Sequence, residues 1–278
     1  MTGSPFGLCA RQELLLAIRS RWTQIFAVVF AGLALAVSVA GYALSGGHGV
    51  QDFARTSASL VQLVLLLVPL SSLLIGVLSL APDRGAAELL FSQPVSRRSI
   101  LLGQSTGLWA ALTAAQAIGF GAAGAVVFSH RGSDGLGGFA LLFAGSSLLT
   151  AIFLGLAALL SAGAIGRRRT RALALALVVW FVAVVLVDVA ALGLASVLRS
   201  GTASRVLIVS VLVNPVGALR TGALLALQGT TAFGSASLAF LRFTGGTGGA
   251  AILISASLLL WTAIPFALAV RRLDRTDI

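Results

Sequence analysis

Long apolar runs alternate with short, arginine-bearing interruptions along almost the whole chain. Six runs stand out, at residues 23–45, 57–80, 99–128, 137–166, 172–198 and 248–270. Each reaches the ~20 apolar residues that a hydrocarbon core of ~30 Å requires, so each predicts a membrane-spanning helix. The third and fourth are overlong, which predicts tilt or extension beyond the bilayer. Pro69 and Pro265 fall inside the second and sixth runs and predict kinks there. Gly103 and Gly107 in the third run are spaced for close helix approach. Packing within the chain is the main expectation for them, and a dimer seam the lesser one.

The interruptions predict further helices. In residues 1–22, Leu15, Ile18 and Trp22 recur at helical spacing among Arg11, Glu13, Arg19 and Arg21. That is the pattern of an amphipathic helix lying in the membrane surface, although a plain charged lead-in to the first span would also fit. The apolar run that follows is too long for a cleavable signal peptide. In residues 81–98, Asp83 is placed to cap a short helix that Pro94 would end, with Arg84, Glu88 and Ser92 along one face. Residues 199–247 hold the apolar stretch Val206 to Val213, then Asn214-Pro215 and the helix-compatible Val216 to Leu227. Eight apolar residues do not cross a bilayer, so this region is expected as a small external helical cap.

Composition agrees with an all-α polytopic fold in one transmembrane domain. The 278 residues are 58% hydrophobic and 10% charged, with a mean hydropathy of +1.03. Soluble domains carry about a quarter charged residues. The net charge of +11 is topological rather than a mark of nucleic-acid binding. With the N-terminus inside, 13 arginines fall in cytoplasmic segments and 6 outside, placing both termini and residues 81–98 in the cytoplasm. The cluster Arg167, Arg168, Arg169 and Arg171 is a further cytoplasmic turn, suited to anionic lipid.

Candidate chemistry is sparse. All 19 basic residues are arginine, so a P-loop lysine is absent and an ATP-driven process needs another chain. Cys9, His48 and His130 are scattered, which disfavours a metal or redox centre in this chain. No catalytic constellation is evident, so a non-enzymatic chain is expected. Asp188 is the one acid well inside a span, about 25 Å from Arg171 at ~1.5 Å per residue. It has two readings: a structural tie to an arginine such as Arg205 or Arg220, or a substrate or cavity role.

These features resemble an ABC-2-type transporter permease. The carrying residues are Glu88-Leu-Leu-Phe-Ser-Gln-Pro-Val-Ser-Arg97, close to the family's E-L-L-L-S-x-P-V-S-R between the second and third spans. The acidic stretch before it is shortened to Asp83, and Gln104 stands where the family has lysine. Ala10-Arg-Gln-Glu-Leu14, Pro69, Trp180-Phe181 with Asp188, and Asn214-Pro215 with Arg220 most resemble the subgroup of nitrous-oxide reductase maturation permeases. The resemblance implies an elbow helix at 1–22, a coupling helix at 81–98 and an external cap at 199–247. It implies Asp83, Arg84, Glu88, Arg97 and Arg98 as the contact for a partner ATPase. Asn214, Pro215 and Arg220 would belong to the cap.

It also implies a homodimer in a bacterial inner membrane, two copies of an ATP-binding subunit that hold the ATP and magnesium, and an extracytoplasmic partner at 199–247. The substrate would be a sulfur- or copper-related species, although so few Cys, Met and His argue against a bare copper ion. The other readings are a generic exporter of drug, lipid or peptide, a proton-coupled secondary transporter using Asp188, and an anchoring subunit that transports nothing.

Overall fold

The structure, a computed structural model, describes residues 4–43, 50–81, 95–131, 135–162, 169–229 and 235–275. Asp83, Arg84 and Glu88 lie outside them, as does most of the expected coupling helix. The described residues form helices and connecting turns. They are α1 (Pro5–Arg19), α2 (Arg21–Ala43), α3 (Val50–Leu80), α4 (Arg97–Arg131) and α5 (Leu136–Ser161). These are followed by α6 (Arg169–Phe181), a π-helical turn (Val182–Leu186) and α7 (Val187–Val197), which together make one continuous span. Then come α8 (Ser200–Val213), α9 (Pro215–Gln228), α10 (Ser235–Thr244) and α11 (Thr247–Asp274).

Six of these stretches are long and apolar enough to cross a membrane: Arg21–Gly41, Arg55–Leu80, Arg97–Ser129, Leu136–Ser161, Arg169–Val197 and Thr247–Asp274. They match the six expected runs. The second, third and fourth form the centre, while the first, fifth and sixth leave most of their surface uncovered. Outward apolar side chains such as Val28, Ile252 and Leu259 are what a lipid solvent allows. Pro69 and Pro265 sit inside helices that continue through them.

Small residues set the helix contacts. A methyl group built on Gly103 would meet Cys9 Cβ at 2.8 Å and the Phe6 carbonyl at 2.9 Å; one on Gly107 would strike the carbonyl of Ala10. The glycine pair therefore seats α1 against α4, which is the intrachain reading of that motif. Between α4 and α5, where water supplies no driving force, polar groups act as the glue. Ser146 Oγ donates to Gln116 Oε1 (2.5 Å), Gln116 Nε2 donates to Thr150 Oγ1 (2.7 Å), and Trp109 Nε1 donates to the Ser147 carbonyl (3.0 Å). Phe30, Phe120, Phe139 and Phe143 stack edge-on or tilted where α2, α4 and α5 meet.

The apolar face of α1 points away from the bundle: Leu8, Leu15, Leu16 and Ile18 are exposed, while Glu13 and Ala17 are buried. Burial pushes the Glu13 carboxyl up from its ordinary value of 4.5, and a hydrogen bond with Ser79 partly opposes this. A carboxyl raised on folding contributes stability below the unfolded value, and that contribution is lost as pH rises through the folded one. Glu13→Gln should therefore raise the melting temperature of the purified protein in alkaline buffer. Below pH 4.5 the advantage should vanish. Gly107→Val, which has no room against the α1 backbone, should cost about 1–3 kcal/mol at any pH and make α1 accessible to protease.

Candidate functional site

Two places gather the polar groups that the sequence singled out. One is the base of the bundle, where α4 begins and α11 ends. Arg97 Nη1 donates to the Leu273 carbonyl at 3.1 Å. Arg98 donates through Nε (3.0 Å) and Nη2 (2.7 Å) to Asp274 Oδ2. Arginines thus supply donors and positive charge at the C-terminal end of α11, where helix carbonyls lack partners. Arg169 does the same for α3, donating to the Leu78 carbonyl at 2.7 Å. Arg97 and Arg98 are in this way committed, at least in part, to holding the third and sixth spans together.

The other place lies at mid-length of the fifth and sixth spans. The segment between them is helical, as expected, but it does not sit wholly above the bundle. α8 and α9 meet at Asn214 with a bend of 100°, the geometry of a broken span or a re-entrant loop. α9 buries Pro215, Val216, Ala218, Leu219 and Ala223 and packs along α5, with Leu219 against Gly145 and Leu227 against Gly138. Gln228 Nε2 reaches Ser57 Oγ at the far end of α3 (3.3 Å). The hairpin therefore enters from the far end and brings its tip down beside Ala183. The sequence placed it outside on its apolar length, and length alone carries no depth.

A helix break at that depth leaves backbone groups without partners, and each must be satisfied by protein. Asn214 does two jobs. Its Oδ1 accepts from the Val216 N–H (3.1 Å), capping α9 with Pro215 at the first helical position, and its Nδ2 donates to the Ala183 carbonyl (2.7 Å). Ala183 lies in the π-turn, where the Val187 N–H reaches back five residues to the Val182 carbonyl. At the end of α8, Ser257 Oγ donates to the Leu212 carbonyl (2.6 Å) and Trp261 Nε1 to the Val213 carbonyl (3.0 Å). The hairpin tip is thereby pinned to both neighbouring spans.

Nearly two turns beyond Asn214 along α9, Arg220 Nη1 donates to Asp188 Oδ2 at 2.5 Å. Of the two arginines considered for Asp188, Arg220 is the one in contact, and Arg205 is exposed on α8. The π-turn contributes to this meeting. One inserted residue rotates everything after it by about 100° about the helix axis, and Asp188 follows the insertion at once. Both side chains stay 29% exposed, and among the described residues no acceptor reaches the buried Nε of Arg220. Sequence reasoning missed Ser257, Trp261 and Gln116, and read Glu13 as a surface residue. Only their partners mark them out, and those lie on other helices or face the opposite way from an amphipathic reading.

Comparison with known proteins places these features in context. The family model described as "ABC-2 family transporter protein" matches residues 8–278. The chain is 33% identical over 217 residues to "Probable ABC transporter permease protein NosY" of Pseudomonas aeruginosa, covering 76% of this chain and 78% of that one. It is 35% identical over 192 residues to the protein of the same name from Stutzerimonas stutzeri, covering 66% and 68%.

Two outcomes are expected from the pinned hairpin. Asn214→Ala removes a helix cap and orphans the Ala183 carbonyl, and should lower unfolding stability by about 2–4 kcal/mol. Arg220→Gln should destabilise the purified protein more than the double neutral change Asp188→Asn with Arg220→Gln, because it leaves a carboxylate unpaired inside the bundle. Thermal melts of the three variants in one detergent give both comparisons.

Proposed function

This chain belongs to the ABC-2 family of transporter proteins, and on that premise we propose how it works as the permease subunit of an ATP-binding cassette transporter. It is a multi-pass membrane protein whose family implies a separate ATP-binding subunit. In the proposed complex two copies of the chain sit in the bacterial inner membrane, with both termini in the cytoplasm, and dock two copies of that subunit. The arginine count, 13 on one side and 6 on the other, supports this orientation.

Residues 83–97 take the push of the closing ATPases, with Asp83, Arg84 and Glu88 at the contact and Arg97 and Arg98 passing it on. The observation that carries this reading is the base of α4. The segment leads directly into a helix that is tied to α11 through Arg97 and Arg98 and seats α1 on Gly103 and Gly107. A displacement delivered there moves three helices together, which is what alternating access requires. The outward apolar face of α1 supports its role as a surface-lying elbow.

Export of a sulfur- or copper-related species to an extracytoplasmic maturation system is the substrate reading we favour, on the resemblance of the Asp188 and Asn214 regions to that subgroup. The far-end hairpin and α10 would receive the outer partner. The guanidinium of Arg220 already pairs with one oxygen of the Asp188 carboxylate, which weighs against a proton carrier built on that residue.

Reconstitution with a candidate ATP-binding subunit tests the coupling. Glu88→Arg should leave membrane insertion intact and abolish stimulation of ATP hydrolysis by this chain. Full stimulation and transport in that variant would overturn the assignment.

A further inference from the structure

The face of the bundle that carries Asp188 and Arg220 is exposed at a depth where exposed charge has few environments open to it. Outward apolar side chains on the fifth span run from Leu175 to Val197, which at ~1.5 Å per residue is about 33 Å, the thickness of a hydrocarbon core. Asp188 lies nine residues before Val197, so it sits about 14 Å inside the edge of that belt. An arginine side chain is too short to carry its head group across such a distance, and Arg220 is in any case turned to Asp188. Yet each side chain keeps 29% of its surface uncovered. Charged groups inside a membrane face a protein interior or a water-filled cavity rather than lipid, because hydrocarbon supplies no hydrogen bond to the atoms left over. Here the leftover groups are the second carboxylate oxygen of Asp188 and the Nη2 group of Arg220, which meet no other side chain among the described residues.

We infer that the exposed side of the Asp188–Arg220 pair is a wall of the water-filled path through the membrane, and that the transported substrate is hydrophilic rather than lipid-like. The pair is neutral as a unit, so it wets the path without trapping a small ion of either sign, and its spare donors and acceptor offer hydrogen bonds to a polar solute in passing. The hairpin fixes the position of this wall. Asn214 holds its tip at the π-turn, and Arg220 lies nearly two turns above on the helix that Asn214 caps. The inference rests on the permease reading and names a substrate class within it.

Thiol accessibility in the reconstituted complex tests it. In a Cys9→Ala background, single cysteines replace Leu192 on α7 and Leu224 on α9, each four residues beyond one member of the pair and so on its face. Leu259, an outward residue in the middle of α11, serves as the lipid-facing control, and Ser196 as the control at the far end of the fifth span. A membrane-impermeant maleimide should label Leu192→Cys or Leu224→Cys on the order of tenfold faster than Leu259→Cys, because the thiolate that reacts forms in water and not in hydrocarbon. Protection of the faster site by a polar candidate substrate, but not by a lipid, is expected as well. If both reporters react as slowly as Leu259→Cys while Ser196→Cys labels freely, the wall faces lipid or a second copy and the inference fails. In that event ATP hydrolysis stimulated by the chain would still stand as evidence for the permease reading. Labelled reporters in a chain that recruits no ATPase would instead reject the permease reading and keep the wet face.

Discussion

A helix that breaks inside a bilayer must have its loose backbone groups met by protein wherever water does not reach them, because hydrocarbon offers no partner. Much of what is distinctive here follows from that constraint. Two breaks lie side by side, the π-turn at Val182–Leu186 and the bend at Asn214, and they are arranged so that one side chain serves both. Ser257 and Trp261, from the sixth span, close the last two carbonyls of α8. A net hydrogen bond is worth about 1 kcal/mol, but an orphaned buried group costs up to about 3, so the set is held less by attraction than by the penalty for leaving it. The fifth span, the hairpin and the sixth span are in effect one polar joint inside an apolar bundle.

The remainder of the bundle holds by close approach instead. Glycines at 103 and 107 let one backbone rest on another, Gly145 receives Leu219, and Gly155 lies against Pro265 and Phe266. Dispersion gains on such surfaces are small per atom and large in sum. The ladder of Ser146, Gln116 and Thr150 adds direction to the contact between α4 and α5. It fixes which faces meet, a job that interchangeable Leu and Ala side chains do poorly.

The spans were legible in the sequence because a bilayer imposes a length, and the six apolar runs obey it. Asn214-Pro215 was legible as a local signal, since a capping side chain followed by proline is written in two adjacent residues. Depth was not legible. Val206 to Val213 reads as too short to cross, and nothing in eight residues says that they dip to the middle of the membrane and turn back. Nor was the partner of Asp188 fixed, because Arg205 and Arg220 are equally basic and the choice depends on a π-turn that has no composition of its own. Glu13 was read with the polar side of a surface helix, whereas it is buried while Arg11 and Arg19 stay exposed, and Leu8, Leu15 and Leu16 lie outside. Amphipathic periodicity shows that a helix has two faces without saying which one the protein keeps. Asp83, Arg84 and Glu88 lie outside the described residues, so their part rests on the family pattern alone.

The length of α4 carries one more consequence. At 35 residues it measures about 52 Å, well beyond the ~30 Å of hydrocarbon that it has to cross. A helix so long either leans or stands proud of the bilayer, and how far it leans depends on local membrane thickness. Because α1 rests on the glycines of this helix, any change in that lean is also a change in the angle between α1 and the membrane plane. Bilayer thickness is therefore geared into the posture of the first helix, through two residues with no side chain at all.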